Sequence, residues 1–144
     1  MVNRMTSEEN TTRILEAFDK ISKVFASMEG FTGEISLSKP ELLTLESVSK
    51  HKELTMSKLA RNLDIGFSTA TSVIDRLIEK KLVVRERNHG DRRVVKVLLS
   101  KEGETIISLY KEQKKIFFKK MTEFLTEVEQ ESFVIVLEKI ADRI

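Results

Sequence analysis

Between Ser7 and Met28 the apolar residues Ile14, Phe18, Ile21, Phe25 and Met28 recur at steps of four, three, four and three. That spacing puts them on one stripe of a helix, which Leu15 and Val24 widen. Gly30 and Gly33 in EGFTGEISLSKP end the pattern and predict a loop. Ser38 and Glu41 then form a capping-box pair around Pro40 and launch a second helix through about Lys50. Leu42, Leu45 and Val48 are its expected buried face. Thr55 is the N-cap of a short third helix that turns Met56, Leu59, Ala60 and Leu63 inward. After a turn containing Gly66, a fourth helix runs from about Ser68 to Lys80. Its apolar residues Ala70, Val73, Ile74, Leu77 and Ile78 fall at i, i+3, i+4, i+7 and i+8.

Here the period shortens. Leu82–Asn88 and Val94–Ser100 are β-branched and partly alternating, and the residues between them carry Gly90 at the tip of a β-hairpin. Ser100 caps the next helix, and Glu102 and Glu104 suit its N-terminal dipole. Ile106, Tyr110, Phe117, Phe124 and Val128 keep a loose seven-residue rhythm, while Phe133, Leu137, Ile140 and Ile144 keep a tighter one. The stretch Glu127–Glu131 is the expected break between two helices. The order is four helices, a hairpin and two helices. That makes a mainly α protein with a small β wing, read as one domain over residues 1–144.

Two short helices joined by a tight turn and followed at once by a hairpin form a winged helix-turn-helix. The helix-turn-helix spans 55–80 and the wing 82–100, within a winged region of 38–104. In this arrangement the helix at 68–80 lays its polar face in a major groove of DNA, and its N-terminal N–H groups meet phosphate. That face carries Ser68, Thr69, Ser72, Asp75, Arg76 and Glu79. Thr69, Ser72 and Arg76 are the expected base readers, since small hydroxyls allow close approach and arginine grips guanine O6 and N7 together. Ser68 belongs to the same contact surface, and Thr71 is a flanking phosphate contact. Asp75 and Glu79 oppose phosphate unless a neighbouring base pairs with them.

Charge strengthens this picture only when it is divided along the chain. The 144 residues carry a net charge of +2, but residues 55–100 hold 10 basic and 5 acidic side chains, and the two flanks are slightly acidic. Seven basic residues lie between Lys80 and Lys96, namely Lys80, Lys81, Arg85, Arg87, Arg92, Arg93 and Lys96. Arginines at the tip of such a ribbon fit a narrow minor groove, where the negative potential is strongest. Asp91 fits there if it pairs with Arg92 or Arg93 and fixes the shape of the wing.

The stretch HGDRRVVKVLLSKEG resembles the wing signature of the multiple-antibiotic-resistance regulator (MarR) family, an Asp-x-Arg followed by a strand ending in Leu-Thr. LTMSKLARNLDIGFSTATSVIDRLIEKKLVVRERN resembles that family's helix-turn-helix, so the specific likeness spans about residues 54–103. The resemblance implies that Asp91 braces the wing and that Arg93 enters the minor groove, with Arg92 as the second candidate. It also implies a homodimer, and a repressor that releases DNA when a small aromatic or anionic effector binds. Two positions depart from the pattern. Lys81 stands where members often have glycine, which either strains one residue or lets the helix end differently. Ser100 replaces the usual threonine and preserves the cap.

The terminal stripes offer more apolar surface than a small winged core covers. Residues 7–28 and 106–144 are therefore read as dimerisation helices that interlock with a second copy, the alternative being burial within one chain. A twofold axis sets two recognition helices about 34 Å apart and predicts a pseudo-palindromic double-stranded operator. Phe18, Phe25, Phe31, Tyr110 and Phe117 are either core or the lining of an effector pocket.

The remaining chemistry is mostly excluded. Without cysteine the chain has no thiol switch, thiolate metal site or cysteine nucleophile, and His51 and His89 alone make a poor metal site. No phosphate loop or catalytic triad is present, so neither an enzyme nor a cofactor is expected. The longest apolar run, Phe133–Leu137, is far too short to span a membrane, and residues 1–13 lack the apolar region of a signal peptide. A cytoplasmic, membrane-free regulator is the expectation. The competing reading is a winged-helix protein-interaction module without sequence-specific DNA binding, which Asp75 and Glu79 would favour.

Overall fold

The computed structural model describes residues 6–29, 35–91 and 93–144, apart from the side chains of Met28 and Glu29. Gly30, Phe31, Gly33 and Arg92 therefore lie outside the described residues, as does the side chain of Met28. The elements in chain order are α1 (Ser7–Glu29), α2 (Lys39–Lys50), β1 (Leu54–Thr55), α3 (Met56–Asn62), α4 (Phe67–Glu79), β2 (Val83–Arg87), β3 (Val95–Leu99), α5 (Lys101–Thr122) and α6 (Glu127–Ala141). The chain divides into two compact units, Met1–Lys111 and Glu112–Ile144, at a point within α5.

The first unit is built around one core. Leu42, Leu45 and Val48 of α2, Leu59 and Ala60 of α3, and Ala70, Val73, Ile74 and Leu77 of α4 are buried together. Leu54, Leu82, Val83 and Val97 join them from the sheet and its flanks, and Ile107 and Tyr110 from the start of α5. These are the positions that helical spacing selects, so the apolar faces of α2, α3 and α4 converge as their periodicity requires. The sheet is antiparallel with order β1-β3-β2. Val83 opposite Leu99 and Arg87 opposite Val95 set the hairpin register, and Leu54 opposite Val97 adds the third strand. That strand goes beyond the hairpin expected from sequence, because two residues are too few to show alternation.

Both helices of the helix-turn-helix end in the same way. At the end of α3, Asp64 N–H donates to the Arg61 carbonyl and Ile65 N–H to the Ala60 carbonyl, with Asp64 at φ 52°. At the end of α4, Lys81 N–H donates to Ile78 and Leu82 N–H to Leu77, with Lys81 at φ 61°. This pair of reverse bonds closes a helix through one left-handed residue, a place where glycine is usual. In the first turn the left-handed residue is thus Asp64. Gly66, which sequence marks as the turn residue, has φ −64° and serves as the N-cap of α4.

The second left-handed residue settles the question raised at Lys81: the helix ends as it does with glycine, and the lysine carries the strain. A left-handed L-residue costs about 1–2 kcal/mol, partly offset by the greater freedom glycine loses on folding. Lys81→Gly is expected to stabilise the protein by about 0.5–1 kcal/mol, seen as a higher urea midpoint at unchanged m-value. An unchanged or lower midpoint would refute the strain.

The exit from this turn is stitched to the start of α5. Ser100 Oγ donates to the Lys81 carbonyl at 2.6 Å and accepts from Gly103 N–H at 3.0 Å, while Ser100 N–H donates to the Leu82 carbonyl. Ser100 is therefore the cap expected from sequence, and it also joins two chain junctions.

In the second unit, Thr126 and Glu129 form a capping box that starts α6. Gln130 Nε2 donates to the carbonyls of Thr122 and Leu125 and so ties the break between the helices. Phe117 is buried, and Phe118 meets it edge to face at 5.4 Å between ring centroids. Phe124, Val128 and Val134–Leu137 are exposed. So are Ile14, Leu15, Phe18, Ile21 and Val24 of α1, whereas Phe25 is half-buried. No helix among the described residues is long and apolar enough to cross a membrane.

Candidate nucleic-acid interface

Burial of Ala70, Val73, Ile74 and Leu77 orients α4 and leaves Ser68, Thr69, Ser72, Asp75, Arg76 and Glu79 exposed along the opposite side. Thr71 sits half-buried at the margin. The N-cap, Gly66, offers no side-chain acceptor, so the first-turn N–H groups lack the cap that Ser38 supplies to α2. Such a terminus suits an anion.

Two hydroxyls are already engaged. Thr71 Oγ1 donates to the Phe67 carbonyl at 3.0 Å, and Ser72 Oγ to the Ser68 carbonyl at 3.1 Å. In this state each hydroxyl has spent its proton within the helix and presents lone pairs outward. At a base edge it would accept, which fits the amino groups of adenine or cytosine.

An ion pair resolves one of the two acids on this face, and two more join neighbouring elements. Asp75 Oδ1 lies 2.7 Å from Arg85 Nη2, joining α4 to the first wing strand and neutralising the nearer obstacle to phosphate. Glu53 pairs with Lys96 at 2.7 Å and links the turn before β1 to the second wing strand. Lys96 holds the Glu53 carboxyl below its ordinary range. Glu79 is exposed.

Glu41 forms a third link, between α2 and α4. Lys80 Nζ reaches both its carboxylate oxygens, at 2.9 and 3.0 Å, and Arg76 Nε lies 3.6 Å from Oε1. Burial pushes the Glu41 carboxyl up, but the Ser38 N–H and the Lys80 ammonium together outweigh it and hold the group below the usual carboxylate range. Sequence marked Glu41 only as a capping residue. Its second role joins positions 39 apart and leaves no local signal.

At the wing tip Asp91 Oδ1 accepts from the Arg93 backbone N–H at 3.0 Å, and Val94 N–H donates to the Asp91 carbonyl. Asn88 Oδ1 accepts from Gly90 N–H, and Asn88 N–H closes the hairpin on Val94. Asp91 therefore folds the tip through the backbone N–H of Arg93, while Arg92, the other partner proposed from sequence, lies outside the described residues. Arg93 is exposed. The structure thus brings an uncapped helix, a hydroxyl-bearing face and a cationic ribbon onto one compact unit. His51, at the end of α2, has Nδ1 2.8 Å from the Ser47 carbonyl.

A family model described as MarR family matches residues 37–95, which run from the residue before the α2 cap to the start of β3. An HTH-type transcriptional regulator of Bacillus subtilis, YdgJ, is 31% identical over 96% of this chain and 82% of its own length. The chain belongs to the MarR family. It is a winged helix-turn-helix transcriptional regulator, of a family that acts on DNA. The HTH-type transcriptional repressor MdtR, also of Bacillus subtilis, is 32% identical over 70% of this chain and 65% of its own. Streptococcus pneumoniae FabT, whose crystal structure was solved in complex with DNA, superposes with a TM-score of 0.82 at 26% identity. The superposition covers 92% of this chain and 95% of FabT.

Proposed function

We propose that this MarR-family protein is a cytoplasmic dimeric repressor, not an enzyme, that reads a pseudo-palindromic operator with α4 and grips the flanking minor groove with the wing. The observation that carries the reading is the division of α4. One side is sealed in the core, and the other exposes Ser68, Thr69, Ser72 and Arg76 beside an uncapped N-terminus. Thr69, Ser72 and Arg76 read bases; Ser68 and the first-turn N–H groups meet phosphate, as does Thr71 once its hydroxyl proton turns from the Phe67 carbonyl to the phosphate; Arg93 and Arg92 enter the minor groove while Asp91 holds the tip. The Asp75–Arg85 pair supports DNA over a protein partner, because it neutralises one of the two acids, Asp75 and Glu79, that a protein-docking surface would use. Dimerisation rests on the exposed apolar stripe of α1 and the exposed apolar residues of α6. Relief by a small aromatic or anionic effector is carried over from the family resemblance.

The test is selection from a random duplex pool followed by titration of the enriched site. The parent is expected to enrich a pseudo-palindrome and to lose affinity steeply with salt, by about 0.9 log units per log unit of salt for each phosphate contact. The Arg92→Ala/Arg93→Ala variant should bind the same site at least about tenfold more weakly with an unchanged melting temperature, as expected of arginines that act only on DNA. No enriched sequence, or binding indifferent to both arginines, would point instead to a protein-docking winged helix.

A further inference from the structure

The buried carboxylate of Glu41 serves two helices at once. Its Oε2 accepts from the Ser38 N–H at 2.7 Å and completes the cap of α2. Its Oε1 is turned toward α4, where Lys80 and Arg76 meet it. The residue is 2% exposed, so a carboxylate kept there must have cationic partners. Lys80 is the closer, and it is itself anchored by donating to the Ser36 carbonyl at 2.8 Å. Arg76 approaches with its Nε edge, and its side chain remains half exposed.

That choice of edge matters chemically. A guanidinium grips guanine O6 and N7 with a pair of N–H groups in one plane. When Nε faces a fixed carboxylate, the edge formed by the two terminal nitrogens has no partner among the described residues. A flexible arginine must be ordered when it binds, and an anchor already present in the free protein lowers that entropic cost.

We propose that Glu41 is a positioning residue for base reading: from α2, it holds Arg76 by its inner edge so that the outer edge meets a guanine. The inference rests on the reading of α4 as the recognition helix. Glu41 itself touches no DNA and acts only through Arg76. Lys80 keeps the carboxylate charged and in place, a role that Ser38 shares.

The experiment measures affinity for the selected operator and for a set in which each base pair is replaced in turn. Parent, E41Q, R76A, R76K and the E41Q/R76A double variant are compared, and the melting temperature of each is recorded. Glutamine keeps an oxygen for the Ser38 cap, removes the charge and replaces the oxygen facing Lys80 and Arg76 with an NH2 that cannot accept from them. A bidentate guanine contact corresponds to a preference of roughly 5–150-fold at one base pair per half-site. R76A and R76K should both abolish that preference, R76K at parental stability because it retains a charge facing Glu41. E41Q should shrink the same preference by at least about threefold while leaving the other base pairs alone, and it should change nothing further once Arg76 is alanine. Should E41Q melt below the assay temperature, E41D makes the same demand by withdrawing the charge one methylene from Arg76. Equal weakening at every sequence, or an undiminished E41Q effect in the R76A background, would overturn the proposal and leave Glu41 a purely structural residue. A guanine preference that survives R76A would overturn it too, with DNA binding intact. Failure of the parent to enrich any sequence would instead bring down the functional reading on which it rests.

Discussion

Gly103→Ala is expected to destabilise the protein by about 1–3 kcal/mol or more, although alanine is the better helix former. A Cβ at Gly103 would lie 1.9 Å from the Leu82 carbonyl oxygen and 3.0 Å from its carbon. The obstacle is backbone, so no rotamer change can remove it. Nor can the carbonyl swing aside cheaply. It accepts from Ser100 N–H, and its neighbour Lys81 already occupies a left-handed conformation that closes α4. Moving it would disturb the end of α4 and the start of β2 together. The gain from helix propensity, about 1 kcal/mol, is smaller than the expected clash. Urea denaturation reads the outcome. Gly90→Ala is the control, since a Cβ there would meet its nearest atom, Asn88 Oδ1, at 3.8 Å. That change should stay within about 0.5 kcal/mol of the parent, as surface substitutions usually do. A Gly103→Ala protein as stable as the control would mean that α5 can slide away from the wing junction, and that the Ser100 bonds do not hold this corner rigid.

What could be read from sequence follows from the range of each interaction. Ser38 with Glu41, Thr55 and Ser100 are caps whose signals lie within a few residues, and all three appear where spacing puts them. The buried faces of α2, α3 and α4 follow from periodicity for the same reason. The turn of the helix-turn-helix shows where local reading fails. Glycine is the usual left-handed residue, yet Asp64 takes that conformation and leaves Gly66 to start the next helix. For three ion pairs at the candidate interface, the identity of the partner leaves no local signal. Asp75–Arg85, Glu41–Lys80 and Glu53–Lys96 span 10, 39 and 43 positions, and a charge gives no hint of which distant partner the fold will deliver. Thus sequence located the exposed face of α4 that is proposed to meet DNA, but it did not show that Arg76, a supposed base reader, also faces a buried carboxylate.

The exposed stripe of α1 leads to the second large effect: Phe18→Asp should leave the winged region folded and weaken operator binding by about 10²–10⁴-fold. Periodicity says that Ile14, Phe18 and Ile21 share a face but not what covers it, and in the described chain Phe18 remains 64% exposed. A row of such residues on a soluble helix is stable in water only if something buries it, and a second copy with the same stripe is the simplest cover. A charge at its centre would be desolvated in that interface without a partner, which makes association costly. The winged core does not include Phe18, so its circular dichroism and cooperative unfolding should persist. Two linked recognition helices bind a pseudo-palindrome by making the second contact intramolecular, and a monomer forfeits that local concentration. The variant should therefore sediment as a monomer and bind a single half-site as well as the parent does, with the loss confined to the full operator. If Phe18→Asp remains dimeric and retains full operator affinity, α1 does not form the dimer interface. If it is monomeric but binds the full operator undiminished, one winged unit supplies all the affinity and the twofold reading of the operator falls.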